Sequence, residues 1–317
     1  MIKKNFRKIY HNIIYKIQNR KSVPPSVSRQ LKLWERGIKK RGVEELLRQG
    51  KLDRRTMTPI IIFQSGKVGS TSVHMSLLKK YEELGFNVPI FHAHVLEDIE
   101  QRIESIKKER KNPENSLNKL IESKELRDQI DGHPEWSWNV VSLVRDPVAI
   151  KVSAFFQLLD EYFPDWQKEY ASGSLMATDL QKIFLGYGKI RIGGLGDWFD
   201  RQVKPIWDID VYGTPFPKEK GYYIYKQNPK VNFMIVRLEN LNDVAEDAFE
   251  DFLGIQNFSI IHANVGKEKA YSKLYTQFKS LPLLPEHVEE VYNSRYVHHF
   301  YTPDEISKFK KRWVREQ

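Results

Sequence analysis

The chain has 317 residues, 40% hydrophobic and 12% aromatic, enough for one large α/β domain or two small ones. It has no cysteine, which excludes disulfides, thiolate catalysis and Cys-based zinc sites, and no run of about 18 apolar residues that could cross a membrane. The net charge of +10 is uneven: residues 1–55 hold 17 Lys+Arg against 4 Asp+Glu, leaving 34 basic and 37 acidic residues in the body, so nucleic-acid binding by the whole protein is not expected.

At the N-terminus, Ile2, Phe6, Ile9, Ile13 and Ile17 fall at helical spacing with Lys3, Lys4, Arg7, Lys8 and Lys16 mostly between them. A basic amphipathic helix of this kind either lies on an anionic membrane surface through residues 1–20 or packs on the body. The segment lacks the continuous apolar core of a secretory signal, so a cytoplasmic location is expected, at the inner face of the membrane if the arm binds lipid. Pro24 and Pro25 end this helix, and a second basic helix over Leu31 to Leu47 leads inward. The expected organisation is a helical arm over residues 1–55 and an α/β domain over residues 56–317.

The body opens with IIIF (Ile60 to Phe63), short and β-branched like a buried strand. A helix over Thr71 to Leu84 follows, closed by Gly85, and Phe86 to His92 reads as a second strand. Glu97 to Asp131 is charged and helical, with a break near Asn112-Pro113, and reads as a surface insertion. NVVSLV (Asn139 to Val144) is a third strand, and Pro147 suits the first position of the next helix. From Phe163 to Lys230 the pattern is irregular and aromatic-rich. FMIV (Phe233 to Val236) is a further buried strand, and Val244 to Leu253 a helix. Thr302-Pro-Asp-Glu305 is a capping box that starts a last helix. Strands alternating with helices predict an α/β fold: three layers, a mainly parallel central sheet flanked by helices, and a helical C-terminal part.

Between the first strand and its helix lies Ser65-Gly66-Lys67-Val68-Gly69-Ser70-Thr71-Ser72. Strand, glycine turn and helix N-terminus together make an anion cradle, because backbone N–H groups and the positive end of the helix dipole converge. Lys67 adds a full charge. ATPase phosphate loops carry lysine immediately before the Ser/Thr; here it comes early, so a Walker motif does not fit. Arg145 ends the third strand, and Ser153 lies eight residues on. An arginine beyond a strand's carboxyl end, with a hydroxyl on the next helix, can grip a second phosphate. The plainer alternatives are an ordinary turn, a local Arg145-Asp146 ion pair and a helix-filling serine.

An early-lysine KxGST after a first strand, followed by RDPxxxxxxS after a later one, resembles the PAPS-dependent sulfotransferases. The resemblance implies a P-loop-like fold with PAPS as co-substrate. It places the donor's 5′-phosphosulfate on the loop from Ser65 to Ser72 and the 3′-phosphate on Arg145 and Ser153. The FHAHV segment (Phe91 to Val95) is similar to the HxHV of glycan 2-O-sulfotransferases, where histidine is the catalytic base. Tyr292 to Ile306 resembles bacterial capsular polysaccharide synthesis proteins. The resemblance spans about residues 58–310 and implies a carbohydrate acceptor. It also implies that Asn264 and Lys267 help hold the 3′-phosphate; a solvated loop is the alternative.

Sulfuryl transfer needs a cation beside the leaving phosphate, donors around the sulfate and a base for the hydroxyl proton. Lys67 and the Ser70–Ser72 helix start meet the first two needs with no metal. His92 and His94 are two apart, hence on one side of a strand. His94 is the favoured base and His92 its support or substitute, with structural histidines or a metal pair lacking a third ligand as rivals. Trp198, Trp207 and Tyr212 read as a sugar-stacking wall or as core, and His298-His299 as packing or surface residues. A nucleotide-dependent kinase and a non-catalytic capsule-assembly scaffold are the competing functions.

Overall fold

A computed structural model describes residues 26–39, 41–109, 113–186, 195–262 and 270–314. The amphipathic run Ile2 to Ile17, Pro24-Pro25, Asn264 and Lys267 lie outside the described residues. Five strands form one sheet in the order β2-β1-β3-β5-β4. They are β1 (Ile60–Phe63), β2 (Ile90–Ala93), β3 (Trp138–Val144), β4 (Tyr222–Tyr225) and β5 (Val231–Arg237). The first three and β5 are parallel, and β4 is antiparallel to β5.

The parallel strands are apolar on both faces because both faces are covered. Ile61, Phe63, Val140, Val144, Phe233 and Ile235 face one core; Ile60, Ile62, Val141, Leu143, Met234 and Val236 face the other. Helices α1 (Val27–Ile38), α4 (Ile99–Glu109) and α5 (Glu114–Gly132) follow in chain order with α2 (Arg41–Arg48) and α3 (Ser70–Leu84) among them. Ser26 caps α1, and Trp34 Nε1 on that helix donates to Met57 O at 2.6 Å. The basic helix expected over Leu31 to Leu47 is therefore two helices, starting earlier. Among the described residues no helix is long and apolar enough to cross a membrane.

Two expectations are corrected. The second strand starts at Ile90, not Phe86. Gly85 ends α3 in the left-handed conformation and Phe86 N donates back to Tyr81 O at 3.1 Å, so this amide closes a helix rather than a ladder. Ladder bonding begins where Ile60 N reaches Pro89 O. The charged stretch after His94 is also no free insertion: α4 and α5 break at Pro113 as expected, but Leu126 and Ile130 bury against the sheet core.

Helix α6 (Pro147–Gln157) leaves β3, with Pro147 in its first turn and Asp146 as N-cap. Short helical turns and a π-helical turn (Phe199–Val203) fill the aromatic region before β4. After β5 come α7 (Leu241–Leu253), α8 (Arg295–Phe300) and α9 (Pro303–Val314). The capping box forms as expected: Thr302 N donates to Glu305 Oε2 at 2.9 Å, and Glu305 N to Thr302 Oγ1 at 3.3 Å.

Candidate functional site

The chain crosses from β1 to β2 on one side and later returns to β3 on the other, so the β1–β3 boundary is where the strand order switches. Open α/β sheets hold ligands beyond the carboxyl ends of strands at such a point. Both sequence motifs arrive here. Residues 64–69 follow β1, with φ of +103° at Gly66, +60° at Lys67 and +85° at Gly69. A left-handed lysine costs about 1–2 kcal/mol, so the surrounding bonds must hold it. Gly66 N donates to Gln64 Oε1, and Arg145 Nη1 donates to Lys67 O at 3.0 Å. That last bond ties the first motif to the second across 78 residues of chain.

The other loop residues divide between frame and opening. Val68 is fully buried in the core, so its side chain anchors the turn. Gly69 caps α3 in the left-handed region with no side-chain cap bond, and Thr71 and Ser72 sit half-buried on the first turn. Ser70 is buried, and its Oγ accepts from Gln64 Nε2 at 2.9 Å. A Cβ on Gly69 would stand 2.6 Å from Leu238 Cδ1. Gly69→Ala should therefore cost about 1–2 kcal/mol from the left-handed φ alone. Urea unfolding would show it as a lowered midpoint, and an unchanged midpoint would contradict this account of the turn.

Arg145 and Asp146 do not pair with each other. Tyr296 Oη both accepts from Arg145 N and donates to Arg145 O, each at 3.0 Å. Asp146 accepts from Val148 N at 3.0 Å, Tyr292 Oη at 2.6 Å and Trp313 Nε1 at 2.9 Å. The C-terminal helices thus frame the second motif. Ser153 is half-buried on α6.

His92 and His94 share one side as expected, with ring centroids 4.9 Å apart. Gln64 joins them: its Nε2 lies 3.2 Å from His92 Nε2 and 3.0 Å from His94 Nδ1, while His94 Nδ1 lies 3.0 Å from Gln64 O. One proton assignment satisfies every contact but the Gln64 Nε2 to His94 Nδ1 approach. His94 Nδ1–H donates to the Gln64 carbonyl, and the two Gln64 amide protons go to Ser70 Oγ and His92 Nε2. This tautomer leaves His94 Nε2 as the basic nitrogen. Burial holds His94 below the ordinary imidazole value, with Lys119 and Lys67 adding to it and the Gln64 carbonyl opposing. Burial, then the His94 and His74 rings, also lowers His92. The His92 side chain keeps solvent on one side, which limits the depth of that shift but not its direction.

A cavity of about 780 Å³ opens beside the loop, lined among others by Ser65, Gly66, Lys67 and His94. His92 and Ser153 are not part of its lining, and neither is Arg145. Trp198 lines it, packed on Phe63 at 4.8 Å, whereas Trp207 is core and Tyr212 lies under the Arg295 guanidinium at 3.8 Å. Trp198 is itself buried at 8% exposure, so of the three only Trp198 borders the cavity and none presents an open stacking face. His299 is packed against Tyr212 and Phe300, and His298 is exposed. Sequence reasoning missed Gln64 and Lys151. Lys151 lines the cavity from α6, and its signal was legible: it is the only charge between Asp146 and Asp160. Among the described residues, no group of three or more His, Asp or Glu could hold a metal ion.

Residues 176–302, less than half of the chain, match the family model described as "Putative capsular polysaccharide synthesis protein". The matched span holds Trp198, β4, β5, Tyr292 and Tyr296, and leaves out the β1 loop, His94 and Arg145. No curated protein and no solved structure gives a significant match.

Proposed function

We propose that the chain is a PAPS-dependent O-sulfotransferase acting on a hydroxyl of a carbohydrate, with the β1 loop serving as a P-loop-like sulfate cradle. One observation carries the reading. The Arg145–Lys67 bond draws both donor motifs to one switch point, and Lys67 and His94 line the same cavity.

In this scheme the acceptor oxygen forms its bond to sulfur as the bond from sulfur to the leaving phosphate oxygen breaks, in line. His94 Nε2 takes the hydroxyl proton. Lys67 and the first-turn amides of α3 meet the negative charge that grows on the leaving phosphate. Arg145 and Ser153 hold the donor's far phosphate, which fixes the distance between sulfur and base. The capsular family match supports a carbohydrate acceptor, because that description concerns polysaccharide synthesis.

Adenosine 3′,5′-bisphosphate should raise the melting temperature, and ATP with Mg²⁺ should not. Equal stabilisation by ATP would favour a kinase instead. Arg145→Ala should weaken bisphosphate binding by about tenfold or more, the worth of one charge-assisted hydrogen bond of about 1.5–3 kcal/mol. Radiolabelled PAPS offered with a glycan panel tests the transfer itself; donor binding with no transfer to any glycan would favour a scaffold.

A further inference from the structure

The cavity lining holds four cations, Lys67, Arg102, Lys151 and Arg201, and three carboxylates, Glu97, Asp98 and Asp197, with Asp98 one helical turn before Arg102. Glu97 is paired with Arg127 at 3.1 Å, and Asp197 faces Arg201 at 3.9 Å. Lys67 is assigned to the leaving phosphate. Two cations remain on the lining, Lys151 from α6 and Arg102 from α4. Neither side chain has a hydrogen-bond or ion-pair partner among the described residues.

Position on α6 separates Lys151 from the far-phosphate contact at Ser153. Residues two apart on a helix point about 200° apart, so Lys151 and Ser153 face opposite ways. Lys151 lies on the cavity lining with Ile150 and Ala154, and Ser153 does not. An ammonium half-buried in an apolar helix run is costly to keep without an anion. Burial pulls the Lys151 ammonium below the ordinary lysine value. Trp198 also lines this cavity, but it is a buried core side chain packed on Phe63 and Phe199, so it walls the cavity rather than offering an open ring face.

We propose that Lys151, with the exposed Arg102, binds an anionic substituent of the acceptor, a sugar carboxylate or a phosphodiester, so that the cavity selects acidic over neutral glycans. This rests on the sulfotransferase reading only in calling the glycan an acceptor; the anion subsite is read from the cavity itself. The charge of the acceptor is then held on the opposite face of α6 from the donor phosphate.

Calorimetry on the full-length protein tests it, using oligosaccharides of heparosan and unsulfated chondroitin, a phosphodiester-linked glycan, and carboxyl-reduced forms as neutral controls. At least one acidic member should bind about tenfold more tightly than the neutral forms, and the pattern tells carboxylate from phosphodiester. Lys151→Met, which keeps the apolar stem, should erase that preference and leave adenosine 3′,5′-bisphosphate affinity unchanged; Arg102→Gln should reduce it in part. Equal binding of acidic and neutral forms, binding of none, or an unaltered preference in Lys151→Met would overturn the assignment. So would bisphosphate binding that weakens with Lys151→Met as much as glycan binding. Should the bisphosphate fail to bind while the acidic preference persists, the sulfotransferase reading falls and the anion subsite stands.

Discussion

His94→Ala should lower sulfuryl transfer by about 10²–10⁴-fold, the usual worth of a general base, while adenosine 3′,5′-bisphosphate still binds. The split follows from geometry. His94 Nδ1 meets the β1 loop at Gln64, and the bond from Arg145 Nη1 to Lys67 O that joins the two donor motifs does not involve it. Retained transfer in the variant would remove His94 from the mechanism. The pH profile supplies a second reading. A base works when deprotonated, and burial lowers the His94 pKa from 6.5. The acid limb of kcat/KM should therefore lie below pH 6.5, and a limb at or above it would contradict the assigned environment. Stability has the same sign. Between the lowered folded value and 6.5 the unfolded chain binds the extra proton, so this group's contribution to stability falls as pH drops below 6.5. Rates at low pH need melting curves beside them.

What the sequence disclosed of the fold was decided by burial. β1, β3 and β5 are covered on both faces, and such strands stand out as unbroken apolar runs. β4 did not, because Tyr222–Tyr225 is a half-buried edge whose tyrosines read equally well as loop aromatics. The start of β2 turned on the hydrogen bond from Phe86 N to Tyr81 O, which no periodicity encodes. In the site, Lys67, His94 and Arg145 announced themselves by chemistry and spacing. Gln64 did not: its role exists only because β1 and β2 pair in parallel with Phe63 opposite Ala93, which brings residue 64 beside two histidines some 30 positions on. In the sequence Asp146 reads only as an ion-pair partner for Arg145; its role as the α6 N-cap, with Tyr292 and Trp313 reaching it from 146 and 167 residues away, exists only in the fold.

Asp146→Ala should produce the largest stability loss, about 4 kcal/mol. The carboxylate is buried and accepts three hydrogen bonds. Losing the α6 cap costs about 1 kcal/mol, and stranding the buried Tyr292 hydroxyl and Trp313 indole about 1–3 kcal/mol each, less the desolvation that the carboxylate no longer bears. Urea unfolding measures the loss, and a change under about 1 kcal/mol would mean that these bonds are not the frame of the loop. Glu305→Ala is the informative contrast. It strips the α9 capping box and leaves the Arg237 guanidinium, 1% exposed, without its carboxylate; Glu305 keeps 28% of its surface in water, so the cost falls near the low end of a broken buried pair, about 3 kcal/mol. Both variants weaken the C-terminal helices, but only Asp146 touches the turn that aims Arg145 at Lys67. Measured where each is still folded, Asp146→Ala should bind adenosine 3′,5′-bisphosphate more weakly than wild type and Glu305→Ala should match wild type. Equal affinities in the two variants would show that the C-terminal helices stabilise the fold without positioning the second phosphate contact.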